Sequence, residues 1–162
     1  MGQTVIQPGT SLFLPRLDKN ALYLAAGDHT SFLINKAATS IRCAPGATTD
    51  GLWTIDVPGE VVRITGMQFK SELSPMVSIT AGTYVIFTDC TFLKPEPAVT
   101  TSFVAIAATA KASFIGCEFG PTKATAGFVI NNAGAALNVY VQGGVNLTGQ
   151  LHNNVTIISE LT

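Results

Sequence analysis

The chain is predicted to be all-β, a parallel β-helix of about six short coils, and three observations in its 162 residues carry that reading. Met76 to Phe92 and Phe103 to Phe119 are one seventeen-residue unit written twice, aligned without a gap at an offset of 27. An internal repeat with a period of about 20–50 residues marks a stack of supersecondary units. Inside the unit, apolar residues recur at alternate positions, which is the pattern of a half-buried strand and not of a helix. Each such strand then meets Gly66, Asp89 or Gly116, residue types that tolerate positive φ at a bend, before a second short apolar strand begins. Strand, bend, strand and variable loop make one coil.

In chain order, Met1 to about Leu12 reads as an N-terminal arm with Pro8-Gly9 as its turn, and residues 13–162 read as a single domain. Units begin at Phe13, Phe32, Trp53, Met76, Phe103 and Phe128. Nine residues into them sit Leu22, Ile41, Val62, Val85, Ala112 and Leu137, and two further on Leu24, Cys43, Ile64, Phe87, Phe114 and Val139. Between these apolar columns lies a mixed one, from Tyr23 and Arg42 through Arg63, Ile86 and Ser113 to Asn138, so one face of the strand is buried and the other exposed. After the bend, Met67, Cys90 and Cys117 share a column, and Phe69, Phe92 and Phe119 another. Asn35 and Asn131 also share a column, where asparagines stack between coils.

The Ala-rich run Ala105 to Ala112 aligns gap-free with Ser78 to Val85, which is rich in β-branched and aromatic residues, so it is strand and turn. Loops of unequal length leave at Lys70 to Pro75 and at Leu93 to Thr101, and the two prolines of the second exclude it from a sheet. Val155 to Ile158 reads as a closing strand that covers the open end and limits edge-to-edge aggregation.

Charged residues make up 12% of the chain and hydrophobic ones 47%, against about 25% charged in ordinary globular domains. Such a surface calls for a membrane or for other copies of the chain. No run approaches the 18 or so apolar residues of a spanning helix, and a coil with open β edges cannot cross a bilayer. Oligomerisation is therefore expected. Six coils at about 4.8 Å each stand only roughly 29 Å tall, so the flank is the larger contact area. Small residues gather in the C-terminal half, at Ala105, Ala107, Ala108, Ala110 and Ala112 and then at Ala124, Ala126, Ala133, Ala135 and Ala136, flat enough for close approach of a symmetry mate. Closed cyclic symmetry is the default for homo-oligomers, and a homotrimer is the expected state. The net charge of −1, without a basic cluster, tells against a nucleic-acid surface. The first residues show neither a charged start nor an apolar stretch, so no export signal is expected.

Residues able to carry chemistry are few. Cys43, Cys90 and Cys117 have no CxxC spacing, and Cys90 and Cys117 are expected to stack as buried thiols inside the rod. His29 and His152 lie beside turn signals and read as solvated loop residues. Asp89 and Glu118 are the best candidates for a carboxylate pair of the kind that cleaves sugars, but Asp89 stands where Gly66 and Gly116 stand, which favours a turn role. Tyr23, Trp53, Tyr84 and Tyr140 would make a sugar-binding strip if exposed, although the column of Trp53 points to core. No catalytic, cofactor-binding or metal-ligating residue is assigned, and no cofactor is expected.

Phe87 to Phe92 (F-T-D-C-T-F) and Phe114 to Phe119 (F-I-G-C-E-F) resemble the coil signature of right-handed parallel β-helices of the pectate-lyase-like class. The resemblance spans about Phe32 to Val141 and specifies coil geometry rather than activity. A chain this short, with an uncharged flank, is similar to small bacteriophage virion proteins: trimeric capsid decoration (cement) proteins, or fibre and spike modules. That likeness implies a non-enzymatic structural protein located in the virion. Its partners would be its own copies and the major capsid protein or tail components, with neither nucleic acid nor membrane involved. The competing expectation is a carbohydrate-binding or polysaccharide-depolymerase module that contacts cell-surface polysaccharide, in which Asp89 and Glu118 would matter.

Overall fold

The computed structural model of the chain describes residues 4–9, 12–13, 21–36, 39–70, 75–93, 102–120, 128–145 and 152–161. Strand β1 (Thr4–Ile6) precedes a series of coils, each made of three short strands. The first coil is β2 (Leu12–Phe13), β3 (Ala21–Leu24) and β4 (Gly27–His29), and the second β5 (Phe32–Ile34), β6 (Ser40–Cys43) and β7 (Ala47–Thr49). The third is β8 (Trp53–Ile55), β9 (Val61–Thr65) and β10 (Gln68–Lys70), and the fourth β11 (Val77–Ile79), β12 (Tyr84–Thr88) and β13 (Thr91–Leu93). The fifth is β14 (Val104–Ile106), β15 (Lys111–Ile115) and β16 (Glu118–Phe119). The chain then runs through β17 (Ile130–Asn132), a 3-10 turn (Ala136–Asn138), β18 (Val139–Val145), β19 (His152–Asn153) and β20 (Thr156–Leu161).

Among the described residues all strand pairings are parallel, and each joins a strand to the equivalent strand of the next coil. The architecture is a parallel β-solenoid with about five complete turns; the sixth expected coil is irregular, because β18 pairs with both β15 and β16 and so serves two faces. Three faces result. The first face is a seven-stranded ladder running from β2 to β19. The second (β3, β6, β9, β12, β15) and the third (β4, β7, β10, β13, β16) are joined through β18 into a thirteen-stranded sheet.

Alternation decides what fills the interior. Val85 and Phe87 of β12 are fully buried, whereas Tyr84, Ile86 and Thr88 between them are half-buried and face outward. Phenylalanines from the second and third faces meet along the axis. Phe69, Phe92 and Phe119 stack with planes 6° and 7° from parallel. Phe87 and Phe114 meet that column edge-on, at 77° from Phe92 and 64° from Phe119. Offset stacks and edge contacts of this kind add about 0.5–1.5 kcal/mol per pair beyond area burial.

The bend between the second and third faces is a single residue of positive φ: Gly66 at 76°, Asp89 at 50° and Gly116 at 61°. The expected bend column is therefore present. So are the Met67, Cys90, Cys117 column and the Ala105 to Ala112 strand and turn.

Register departs from expectation in five places, the first being Phe13, which pairs with Leu33 and not with Phe32. Ile41 pairs with Ile64 and not with Val62, and Val139, not Leu137, pairs with Ala112. Both are slips of two residues, which leave the inward set inward. Leu137 is 70% exposed and stands in the 3-10 turn. Trp53 pairs with Val77 rather than Met76. The Met76 and Val77 amides both donate to the Phe103 carbonyl, at 2.8 and 3.1 Å, so a bulge takes up the extra residue. Val104 pairs with Ile130, one residue past the expected position, and Phe128 is exposed.

The termini are incorporated into the ladder. Thr4–Ile6, within the expected arm, pairs with Leu22–Leu24 and buries Ile6, and Pro8-Gly9 is a turn. The closing strand runs from Thr156 to Leu161 and pairs in parallel with β18 across two register shifts. Most of the two long expected loops, residues 71–74 and 94–101, lies outside the described residues, as do Ala124 and Ala126.

Candidate functional site

Function on a solid rod must reside on its faces and corners, because the interior is filled by side chains. The first face is the plainest. Its outward rank runs Leu33, Thr54, Ser78, Ala105, Asn131, Asn153, and at its margin stand Asp56, Thr80, Ala107 and Ala133. Where Ser78 and Thr80 pass over Ala105 and Ala107, the face hollows into a shallow concavity of about 410 Å³ that also touches Ala81, Asn131 and Ala133. Small side chains line this hollow, since Ser78, Ala105 and Ala107 project little from their strands. Thr80 Oγ1 donates to Asp56 Oδ1 at 2.6 Å on the margin, holding that carboxylate against the coil.

The second face is bulkier and differently charged. Tyr23, Tyr84, Ile86, Ile115 and Tyr140 project from it beside Arg42, Arg63 and Lys111. From β3 to β15 its outward positions carry no carboxylate among the described residues. Tyr84 Oη and Ser113 Oγ are hydrogen-bonded at 2.9 Å, which fixes that ring across two rungs. Three of the four aromatics considered for a sugar strip therefore share a face. The fourth, Trp53, is fully buried, packed on Phe32 at 4.5 Å and donating Nε1–H to Thr49 Oγ1 at 3.2 Å.

Asp89 and Glu118 are separated in role by the fold. Asp89 is exposed at the bend with φ 50°, its amide donating to the Ile115 carbonyl at 2.9 Å. Glu118 is half-buried on the third face, paired in register with Thr91. Neither stands on the face that carries the tyrosines. Among the described residues, no group of three or more His, Cys, Asp or Glu is gathered to hold a metal ion, and no helix is long and apolar enough to cross a membrane.

The three cysteines carry free thiols. Cys90 and Cys117 stack in the interior as expected, their Sγ–H groups reaching the carbonyls of Thr88 at 3.4 Å and Phe87 at 3.6 Å. Burial pushes the Cys90 thiol well above its ordinary range, and pushes Cys43 up to about 12. Cys43 completes a sulfur row, 3.6 Å from Met67 Sδ.

His29 corrects the sequence reading. It is 1% exposed, its Nε2 bonded to the Ala25 carbonyl at 2.8 Å and its ring against Phe32. It lies inward because Gly27–His29 is itself a strand of the third face, and the adjacent turn signal concealed that strand. His152 is half-buried in β19.

The asparagines form a ladder that differs from the expected one. Asn35 is exposed, whereas Asn132 is fully buried and donates Nδ2–H to the carbonyls of Ala135 at 2.9 Å and Asn154 at 2.7 Å. Asn153 Nδ2 reaches Asn131 Oδ1 at 3.1 Å. The Asn131-Asn132 and Asn153-Asn154 pairs were the available signal: a dipeptide repeated one coil apart.

Compared with protein-family models, with curated proteins and with solved structures, the chain matches none of them.

Proposed function

We propose that the chain is a non-enzymatic structural protein that assembles flank to flank as a homotrimer and serves in a virion, as a capsid decoration protein or as a fibre or spike module. The observation that carries this reading is the first face. From β8 to β19 it is a hollowed rank of Thr, Ser, Ala and Asn, with Leu33 one rung below, and no Lys or Arg projects from its strands among the described residues. A surface that forgoes charge over several coils gains little from water and approaches another protein surface closely. Closed symmetry turns such a flank into an internal contact. The cemented interior and the stacked terminal strands suit a part that bears load rather than one that opens and closes. Mass spectrometry of purified particles from the source encoding the chain tests the virion assignment, which fails if the chain is missing from them.

A second reading rests on Tyr23, Tyr84 and Tyr140 sharing the second face. Aromatic rings along one flank favour a carbohydrate-binding module. A chain that stays monomeric and binds polysaccharide through that face would support it.

A further inference from the structure

We propose that in the homotrimer the first face of each copy packs against the second face of the next, with the corner between these two faces lying on the threefold axis. The inference rests on the trimer reading above and specifies the surfaces that meet. Shape, charge and the corner itself each point to this pairing.

The two faces are unequal in a complementary sense. The first is hollowed where Ser78, Thr80, Ala105 and Ala107 stand, and the second raises Tyr84 and Ile86 in the fourth coil. Threefold rotation about an axis parallel to the rod keeps each coil level with its counterparts. Tyr84 and Ile86 of one copy are then brought opposite Thr80 and Ser78 of the next, bulk into hollow. Two copies meeting first face to first face would leave both hollows unfilled.

Charge follows the same division. The outward cations Arg42, Arg63 and Lys111 belong to the second face, whereas Asp56 stands at the margin of the first and Glu60 on the corner. Like faces would oppose cation to cation. Unlike faces bring Arg63 and Asp56 together within the third coil, a complementarity that steers register and partner choice. The third face, with Asp28, Lys70 and Glu118, carries both signs and is suited to remain outside.

The corner permits the axis to pass close by. In the fourth and fifth coils it is built from Ala81-Gly82 and Ala108-Thr109, and in the sixth from Gly134-Ala135. A Cβ added at Gly134 would collide with the Ala108 carbonyl of the coil beneath, so the corner is also tightly stacked along the rod.

Cross-linking distinguishes the outcomes. Ser78→Cys and Ile86→Cys are combined in one chain, treated with a short bis-maleimide and run under denaturing conditions. The unmodified chain and each single variant serve as controls, and light scattering is recorded on every sample. Covalent dimers and trimers from the double variant alone are expected, and Ala105→Cys with Ser113→Cys should repeat the result one coil higher. A trimeric mass without inter-chain cross-links in either pair overturns the assignment of faces and leaves the trimer reading in place. A monomeric mass for the unmodified chain overturns both. Ala105→Arg adds a cation opposite the cationic face and is expected to disperse the trimer with an unchanged circular-dichroism spectrum; persistence of the trimer also overturns the pairing.

Discussion

The rings of Phe87 and Phe114 lie face to face on neighbouring coils, their centroids 5.0 Å apart and their planes 8° from parallel. One seventeen-residue unit, repeated, places the same ring at the same height in each coil, and the interior becomes a continuous aromatic column. Truncating either ring opens a cavity that two neighbouring coils cannot both close. Phe87→Ala or Phe114→Ala is expected to cost about 3–5 kcal/mol, read as a fall in the denaturation midpoint. An unchanged midpoint would contradict the stack.

Asp89 occupies the left-handed bend otherwise held by glycine, with φ 50°. Asp89→Gly should therefore be neutral or stabilising by up to about 1 kcal/mol. Gly116→Ala, one coil above with φ 61°, should cost about 1–2 kcal/mol, because the new Cβ would also lie 2.6 Å from Asp89 Oδ1. Thermal melts of the two variants check the opposed signs. If Asp89→Gly instead abolished a polysaccharide-cleaving activity, the structural role given to Asp89 would fail.

The buried thiols set an alkaline limit on stability. Cys43 is raised by burial from the ordinary 9.0 to about 12, and burial raises Cys90 as well. In the unfolded chain these thiols ionise near 9, whereas in the native state they hold their protons. The stabilisation is accordingly complete below about pH 9 and declines as pH rises toward about 12. Denaturant midpoints measured across that interval should fall. Native-state alkylation at pH 8 should leave Cys90 and Cys117 unmodified until the chain unfolds.

Asn132 closes the C-terminal coils by bridging two carbonyls from a fully buried position. Asn132→Leu removes both donors and leaves those acceptors without them, at a cost of about 1–3 kcal/mol. Hydrogen exchange should report the loss first in β19 and β20. Uniform loosening of all coils would argue against a local clamp.

Much of this fold was legible because the fourth and fifth coils align over seventeen residues without a gap, and the columns of Val85, Phe87, Phe92 and Cys90 follow from that alone. Alternation leaves register ambiguous. Sliding a strand by two residues keeps its inward set inward, so Ile41 over Val62 and Leu137 over Ala112 satisfied the pattern as well as the true partners do. The bulge at Met76 left no mark on periodicity. The inward position of His29 is hidden in the sequence because three residues of strand that begin at a glycine resemble a turn. The character of the flank was visible as missing charge, but its division was not. Ala110 and Ala112 proved to be core, while Ala105, Ala107 and Ala133 line the outer hollow, since only the coil geometry separates inward from outward alanines.

In the proposed homotrimer the low-charge flank is an internal contact between copies. Light scattering on a sizing column tests it most directly, using the purified chain across a tenfold range of concentration. A stable mass three times the 16.9 kDa of one chain is the predicted result. A monodisperse species of single-chain mass throughout that range would contradict it.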